Sequence, residues 1–207
     1  MKLASCLLSG RPSYGAVVDG GSIKLGARLG DRYQPLRAAL VANAPADLAQ
    51  AAQRRKPDIA LADVTFAPPI PDAGKISCIG RNYKAHVAEA RGELPSFPSV
   101  FAGFGSSIVG HDCPIQLSPL SSDFDFEGEL ALVIGTPGRH ITREHALTHV
   151  AGYACLNAAC YRDFQFKHSL TAGKKFAQSG SSGPWMATAD KIPDPRPRVT
   201  SFGTQGR

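Results

Sequence analysis

Asp123-Phe-Asp-Phe-Glu-Gly-Glu-Leu-Ala-Leu-Val-Ile-Gly135 is the stretch on which the reading of the fold turns. Its second half, residues 130–134, is a run of aliphatic residues and Ala closed by Gly135, the pattern of a buried strand. Glu127 and Glu129 stand at its mouth, two residues apart. Side chains of an extended chain repeat every second residue, so both carboxylates are expected on one face. Gly128 between them puts no side chain on the opposite face, where another backbone can approach. Two carboxylates running into a buried strand repel each other and lose hydration unless a cation or base lies between them. A hard divalent ion, Mg2+ or Mn2+, suits such an all-oxygen site. The same spacing is equally compatible with an edge strand whose acids are solvated at a frayed end.

Composition narrows the rest. The 207 residues are 43% hydrophobic and 19% charged, an ordinary globular balance. With 21 Gly and 16 Pro to punctuate short strands, an α+β, β-rich fold is expected. No apolar run approaches the roughly 20 residues that span a bilayer, so no membrane partner is expected. Residues 1–10 have too short an apolar part for a signal peptide and read as a first strand. The five cysteines (Cys6, Cys78, Cys113, Cys155, Cys160) are scattered, with no Cys-x-x-Cys pair and no Cys–His arrangement. That usage suits a reducing compartment, and a cytoplasmic location is expected. The net charge of +6 is partly local, in Arg54-Arg55-Lys56 and in Arg196, Arg198 and Arg207. No basic stripe is interleaved with aromatics, so no nucleic-acid partner is expected.

In chain order, residues 1–66 read as a small N-terminal α+β lobe. Within it an Asp-Gly-Gly turn between two short strands over 15–26 signals a hairpin. A helix is expected from Pro45 to about Arg55, stopped by Pro57. Residues 67–74, rich in Pro, form a stiff connector. A larger domain covers 75–195, and residues 196–207 read as a disordered tail. The larger domain opens with a strand predicted to be buried over 75–80, then a turn into a helix on which His86 and Glu89, three apart, share a face. A His beside a carboxylate is the minimum for activating water, although the spacing also describes an exposed surface pair. Residues 101–110 are apolar and Gly-rich enough to wall a pocket. A short helix capped by Thr142 carries His145 and His149 four apart, without the Glu a zinc protease needs, so surface histidines are expected there. Arg162 and Gln165 share a second helical face, and Lys174, after Gly173 on a loop, can offer a mobile ammonium to an oxyanion.

Together these segments resemble the fumarylacetoacetate hydrolase family. The matching pieces are Ile79-Gly-Arg-Asn-Tyr83 with His86 and Glu89, the 125–135 stretch, Val150-Ala-Gly-Tyr153, Arg162-Asp-Phe-Gln165, Gly173-Lys174, and Gly183-Pro-Trp185 with Thr188-Ala-Asp190. They occur in the family's order across roughly residues 75–195, and the N-terminal lobe matches the family's leading domain more loosely. The resemblance implies a mixed β-roll holding Mg2+ or Mn2+, commonly in a homodimer. It also implies hydrolase, lyase or isomerase chemistry on C–C bonds of dioxo-acid or hydroxymuconate-type substrates. Carried over by residue, it makes Glu127 and Glu129 metal ligands and His86, Glu89 and Lys174 catalytic. Asn82, Tyr83, Arg162 and Gln165 become substrate-binding groups.

Two departures accompany the resemblance. The family's third metal ligand is an Asp where this chain has Ala158, so weaker metal binding is expected; Asp163 matches a different family position. The chain also stops before the family's closing strands, which leads to the expectation of an incomplete β-roll with open edges. The alternative to an enzyme is a non-catalytic homologue that keeps the fold as a binding or dimerisation module.

Overall fold

The computed structural model describes residues 1–18, 20–29, 32–53, 56–84, 87 and 95–196. Its strands are β1 (Lys2–Leu8), β2 (Arg11–Val18), β3 (Gly21–Lys24), β4 (Ile59–Ala60), β5 (Thr65–Phe66), β6 (Ile76–Gly80), β7 (Ser99–Gly103), β8 (Ile108–Val109), β9 (Phe124–Asp125), β10 (Gly128–Ile134), β11 (Val150–Asn157), β12 (Cys160–Tyr161) and β13 (Gly180–Thr188). Helices are α1 (Leu25–Arg28), α2 (Leu36–Val41), α3 (Pro45–Ala52), α4 (Arg162–Lys167) and α5 (Leu170–Lys174). The fold is α+β and strand-rich, as composition and punctuation suggest.

Among the described residues a nine-stranded sheet runs β10-β11-β13-β1-β2-β3-β4, with β5 on β1 and β8 on β13. The β1–β2 hairpin turns through Ser9 and Gly10, both at positive φ (48° and 77°). Those angles match the right-handed twist of the flanking strands, and Gly10 adopts them without a Cβ penalty. The hairpin expected around residues 15–26 is β2–β3, paired from Gly15↔Lys24 to Val18↔Gly21. Strand β1 also pairs with β13 through Leu3↔Met186, so N-terminal strands and those of the 75–195 segment lie in one sheet. The main core reflects this: Leu3, Tyr14, Leu25, Leu36 and Leu48 cluster with Met186, and Val133 packs against them.

Strand β10 differs from the buried strand that its composition suggests. None of its residues is fully buried, and from Ala131 on they alternate between half-buried and exposed, with Leu132 47% and Ile134 61% exposed. Val133, on one face, packs against the core, while Leu132 and Ile134 share the other face, which the described residues leave largely uncovered. Strand β10 also ends the sheet, with β11 on one side only among the described residues. Strand β6 departs in the same way. It pairs with β7 in a separate two-stranded ladder and alternates exposure along its length, leaving Ile79 44% exposed. The Pro45 helix forms as α3, and Thr142 stands as N-cap of a 3-10 turn over Arg143–His149. Residues 54 and 55, His86, Glu89 and the tail from 197 onward lie outside the described residues.

Candidate active site

The site is assembled by a small second ladder and two short helices. Strands β9 and β12 pair through Cys160↔Asp125 and Tyr161↔Phe124, and the Arg162 N–H donates to the Asp123 carbonyl at 2.8 Å. An aromatic cluster supports this ladder. The Tyr161 ring lies 5.1 Å from that of Phe124 and 4.4 Å from that of Phe176, which in turn meets Phe164 edge-on at 5.1 Å. Such edge-to-face and tilted ring contacts fix the ladder's position as well as burying area. The pairing sets Asp125 beside the first residue of α4, Arg162.

Helix α4 then meets α5 at Gly173. A Cβ there would lie 2.7 Å from the Gln165 Cβ and 2.8 Å from its Cα, so only Gly permits this approach. Ser169 caps α5, its hydroxyl accepting from the Ala172 N–H at 3.1 Å. The close crossing carries Lys174, at the end of α5, to Glu127.

What results is a chain of charges. Arg162 donates through Nε and Nη2 to Asp125 Oδ2 at 3.0 and 2.6 Å, and through Nη1 to Glu127 Oε1 at 2.6 Å. The same Nη1 donates to Gln165 Oε1 at 3.1 Å, confirming that Arg162 and Gln165 share a helical face. The Lys174 ammonium donates to Glu127 Oε2. Burial pushes the Asp125 carboxyl up, but hydrogen bonding and charge from Arg162 outweigh it and hold Asp125 below its usual value. Burial likewise opposes the Arg162 charge, yet Asp125 and Glu127 raise its pKa. The Cys160 thiol, fully buried, donates to Gln165 Oε1 at 2.7 Å, and burial pushes its pKa up. Sequence reasoning identified neither Asp125 nor Cys160 as part of this cluster. Asp125 lies in the quoted stretch but announces its partner only through the β9–β12 ladder.

Lys174 departs from the expectation of a mobile ammonium on a loop. It ends a helix and is 6% exposed, because the α4–α5 crossing encloses it. With Asn157, Ala158 and Lys175 it lines a cleft of about 10 Å³, room for roughly one water, to which the 101–110 segment contributes Ser107 and Ile108.

Glu129 has different surroundings. The Tyr83 hydroxyl donates to it and accepts the outward Leu130 N–H of edge strand β10 at 3.0 Å. Burial first, then the Glu129 charge, raises the Tyr83 pKa. His145 and His149 bond locally instead, to the Thr142 hydroxyl at 3.0 Å and the Thr136 carbonyl at 2.9 Å.

Residues 75–202 match the family model for the fumarylacetoacetate (FAA) hydrolase C-terminal. The chain belongs to the fumarylacetoacetate hydrolase family. It is 37% identical over 142 residues to the human mitochondrial oxaloacetate tautomerase FAHD2A, covering 67% of this chain and 45% of that protein. Over 136 residues it is 39% identical to the mitochondrial oxaloacetate tautomerase fahd2 of Xenopus laevis, covering 64% and 43%. Among solved structures of this fold, maleylpyruvate hydrolase from Sphingobium sp. SYK-6, in complex with manganese (II) ion and pyruvate, superposes with a TM-score of 0.74 at 27% identity. That match covers 94% of this chain and 70% of the other. The fumarylacetoacetate hydrolase of psychrophilic Exiguobacterium antarcticum gives 0.71 at 28%, covering 92% and 67%. The matches to the two tautomerases thus span less than half of those proteins.

Among the described residues no three His, Cys, Asp or Glu side chains converge as ligands. Both oxygens of Glu127 already meet cations of the chain itself, and position 158, on the cleft, carries only a methyl. These donors do not fit a three-carboxylate metal site. No helix of the described residues is long and apolar enough to cross a membrane.

Proposed function

We propose that this chain is an enzyme that moves a proton between the keto and enol forms of a small oxo-acid, of the oxaloacetate class. Similarity to the two tautomerases over residues shared with the family supports the substrate class, and the placement of Lys174 supports the chemistry. An ammonium brought to the cleft by a rigid helix crossing is an electrostatic partner for an enolate, because it needs no reorganisation as charge develops. As the proton leaves the carbon next to the carbonyl, negative charge gathers on the carbonyl oxygen, and the Lys174 N–H groups stabilise it there. The proton is then delivered to that oxygen to give the enol. Asp125 and Gln165 hold Arg162; Arg162 and Lys174 together hold Glu127, which keeps the ammonium in place. Arg162 and Gln165 thus act mainly by positioning. His86 and Glu89 are the proton carriers that the family resemblance assigns, with Asn82 and Tyr83 on the substrate side. In the family a divalent ion supplies Lewis-acid polarisation of the substrate carbonyl. A small-molecule acid is the partner, and a homodimer the proposed assembly.

The observation that carries this reading is the Lys174 ammonium on the wall of the cleft, held from behind by the Glu127–Arg162–Asp125 chain. The test is the decay of enol oxaloacetate, followed by its ultraviolet absorbance with and without Mn2+. Acceleration over buffer in either arm is expected, and Lys174→Met should lower it roughly 100-fold, the usual cost of one oxyanion donor. Ala158 favours a second reading, a non-catalytic homologue that binds or dimerises. No acceleration by a folded chain in either arm would overturn the enzyme in favour of that reading.

A further inference from the structure

We infer that in this chain the Lys174 ammonium stands in the cation's place on Glu127, so that Glu127 is a built-in counter-ion and not a metal ligand. Asp125 and Glu127 supply two carboxylates, and Arg162 and Lys174 supply two cations in direct contact with them. The cluster is neutral as it stands. A divalent ion seated on Glu127 would bring two further positive charges against an ammonium and a guanidinium that already hold both of its oxygens.

Neither cation is placed to yield. The Lys174 side chain is 5% exposed, enclosed where α5 crosses α4 at Gly173. Arg162 is tied by two N–H groups to Asp125, whose strand is in turn fixed by β12. Displacing Lys174 would leave a buried charge without its partner. Glu129, turned to the Tyr83 hydroxyl, adds a single carboxylate, and Ala158 adds none. The loss of one ligand and the occupation of another therefore point the same way. Changing position 158 alone should not restore the ion, because Lys174 would still hold Glu127.

This inference concerns the same cluster as the proposed function but does not depend on turnover. Its test reads the ion alone: Mn2+ is titrated into the full chain without substrate, and free Mn2+ is measured by electron paramagnetic resonance. Wild type and Lys174→Arg should leave the free-ion signal undiminished. Lys174→Met should bind Mn2+ at least ~10-fold more tightly than wild type, and adding Ala158→Asp to it should gain ~10-fold more, the scale on which neighbours tune metal affinity. Ala158→Asp with Lys174 retained should stay within about threefold of wild type, well below that scale. Tight binding by wild type, or by Ala158→Asp alone, would overturn the inference. Should circular dichroism show Lys174→Met unfolded, the Ala158→Asp chain decides: weak binding supports the built-in cation and tight binding refutes it. Loss of oxaloacetate activity would leave these titrations unchanged, so the two readings fail separately.

Discussion

Glu127 and Glu129 are two residues apart at the head of one strand, yet they are held in opposite ways. Glu127 is gripped by a guanidinium and an ammonium from two different helices, and its backbone N–H reaches the Asn157 side chain at 3.3 Å. Glu129 meets a tyrosine hydroxyl that also caps the outer edge of β10. The difference teaches that a pair of acids with metal-site spacing can be divided between two tasks. One ties the second ladder and the helix pair to the sheet; the other finishes an exposed edge, where an unpaired N–H would otherwise be left.

The largest expected effect breaks this contrast at its stronger member. Glu127→Gln leaves the buried Lys174 and the half-buried Arg162 without their shared carboxylate and should cost about 3 kcal/mol, the low end for a broken buried pair because Glu127 and Arg162 keep some exposure. For a chain of this size that lowers the melting temperature by about 6–12 °C. Glu129→Gln removes one partly exposed hydrogen bond and should cost about 1 kcal/mol or less. Equal losses in thermal melts of the two variants would erase the distinction.

Next comes the crossing that delivers Lys174. Gly173→Ala puts a methyl 2.7 Å from the Gln165 Cβ and forces α5 away from α4, at about 1–3 kcal/mol. The melt of this variant should fall between those of the two Glu variants. Unchanged stability would show that the helices are not locked at this point.

The smallest effect is in the pH dependence. Asp125 is held below its ordinary value of 3.8 in the folded chain. At pH values between the folded and unfolded pKa the unfolded chain binds more protons. The Arg162 contact therefore contributes fully above the unfolded value and is lost as pH falls through the folded one. Asp125→Asn should flatten the acid limb of a stability–pH curve below pH 3.8 while lowering the neutral plateau slightly. An unaltered acid limb would remove Asp125 from the account.

Much of the site was legible locally. The Arg162–Gln165 face follows from helical period and the β2–β3 hairpin from its Gly turn. The even spacing of Glu127 and Glu129 was equally plain, but the neighbours of each acid were not. Exposure of β10 and β6 was also misjudged, because an aliphatic run reads alike in a strand covered on both faces and in one covered on a single face. Cys160 gave no signal at all: a lone cysteine in an apolar segment looks like any small core residue.

By itself the sequence determined the family, the strand-rich α+β class, and the set of charged side chains from which a site could be made. These depend on residue type and short-range period, which the chain carries in its order. Only the tertiary structure decided how the charges pair. Lys174 is 47 residues from Glu127, and Arg162 is 37 from Asp125. Contacts at that range are set by the β9–β12 ladder and by the crossing at Gly173, and no local period encodes them.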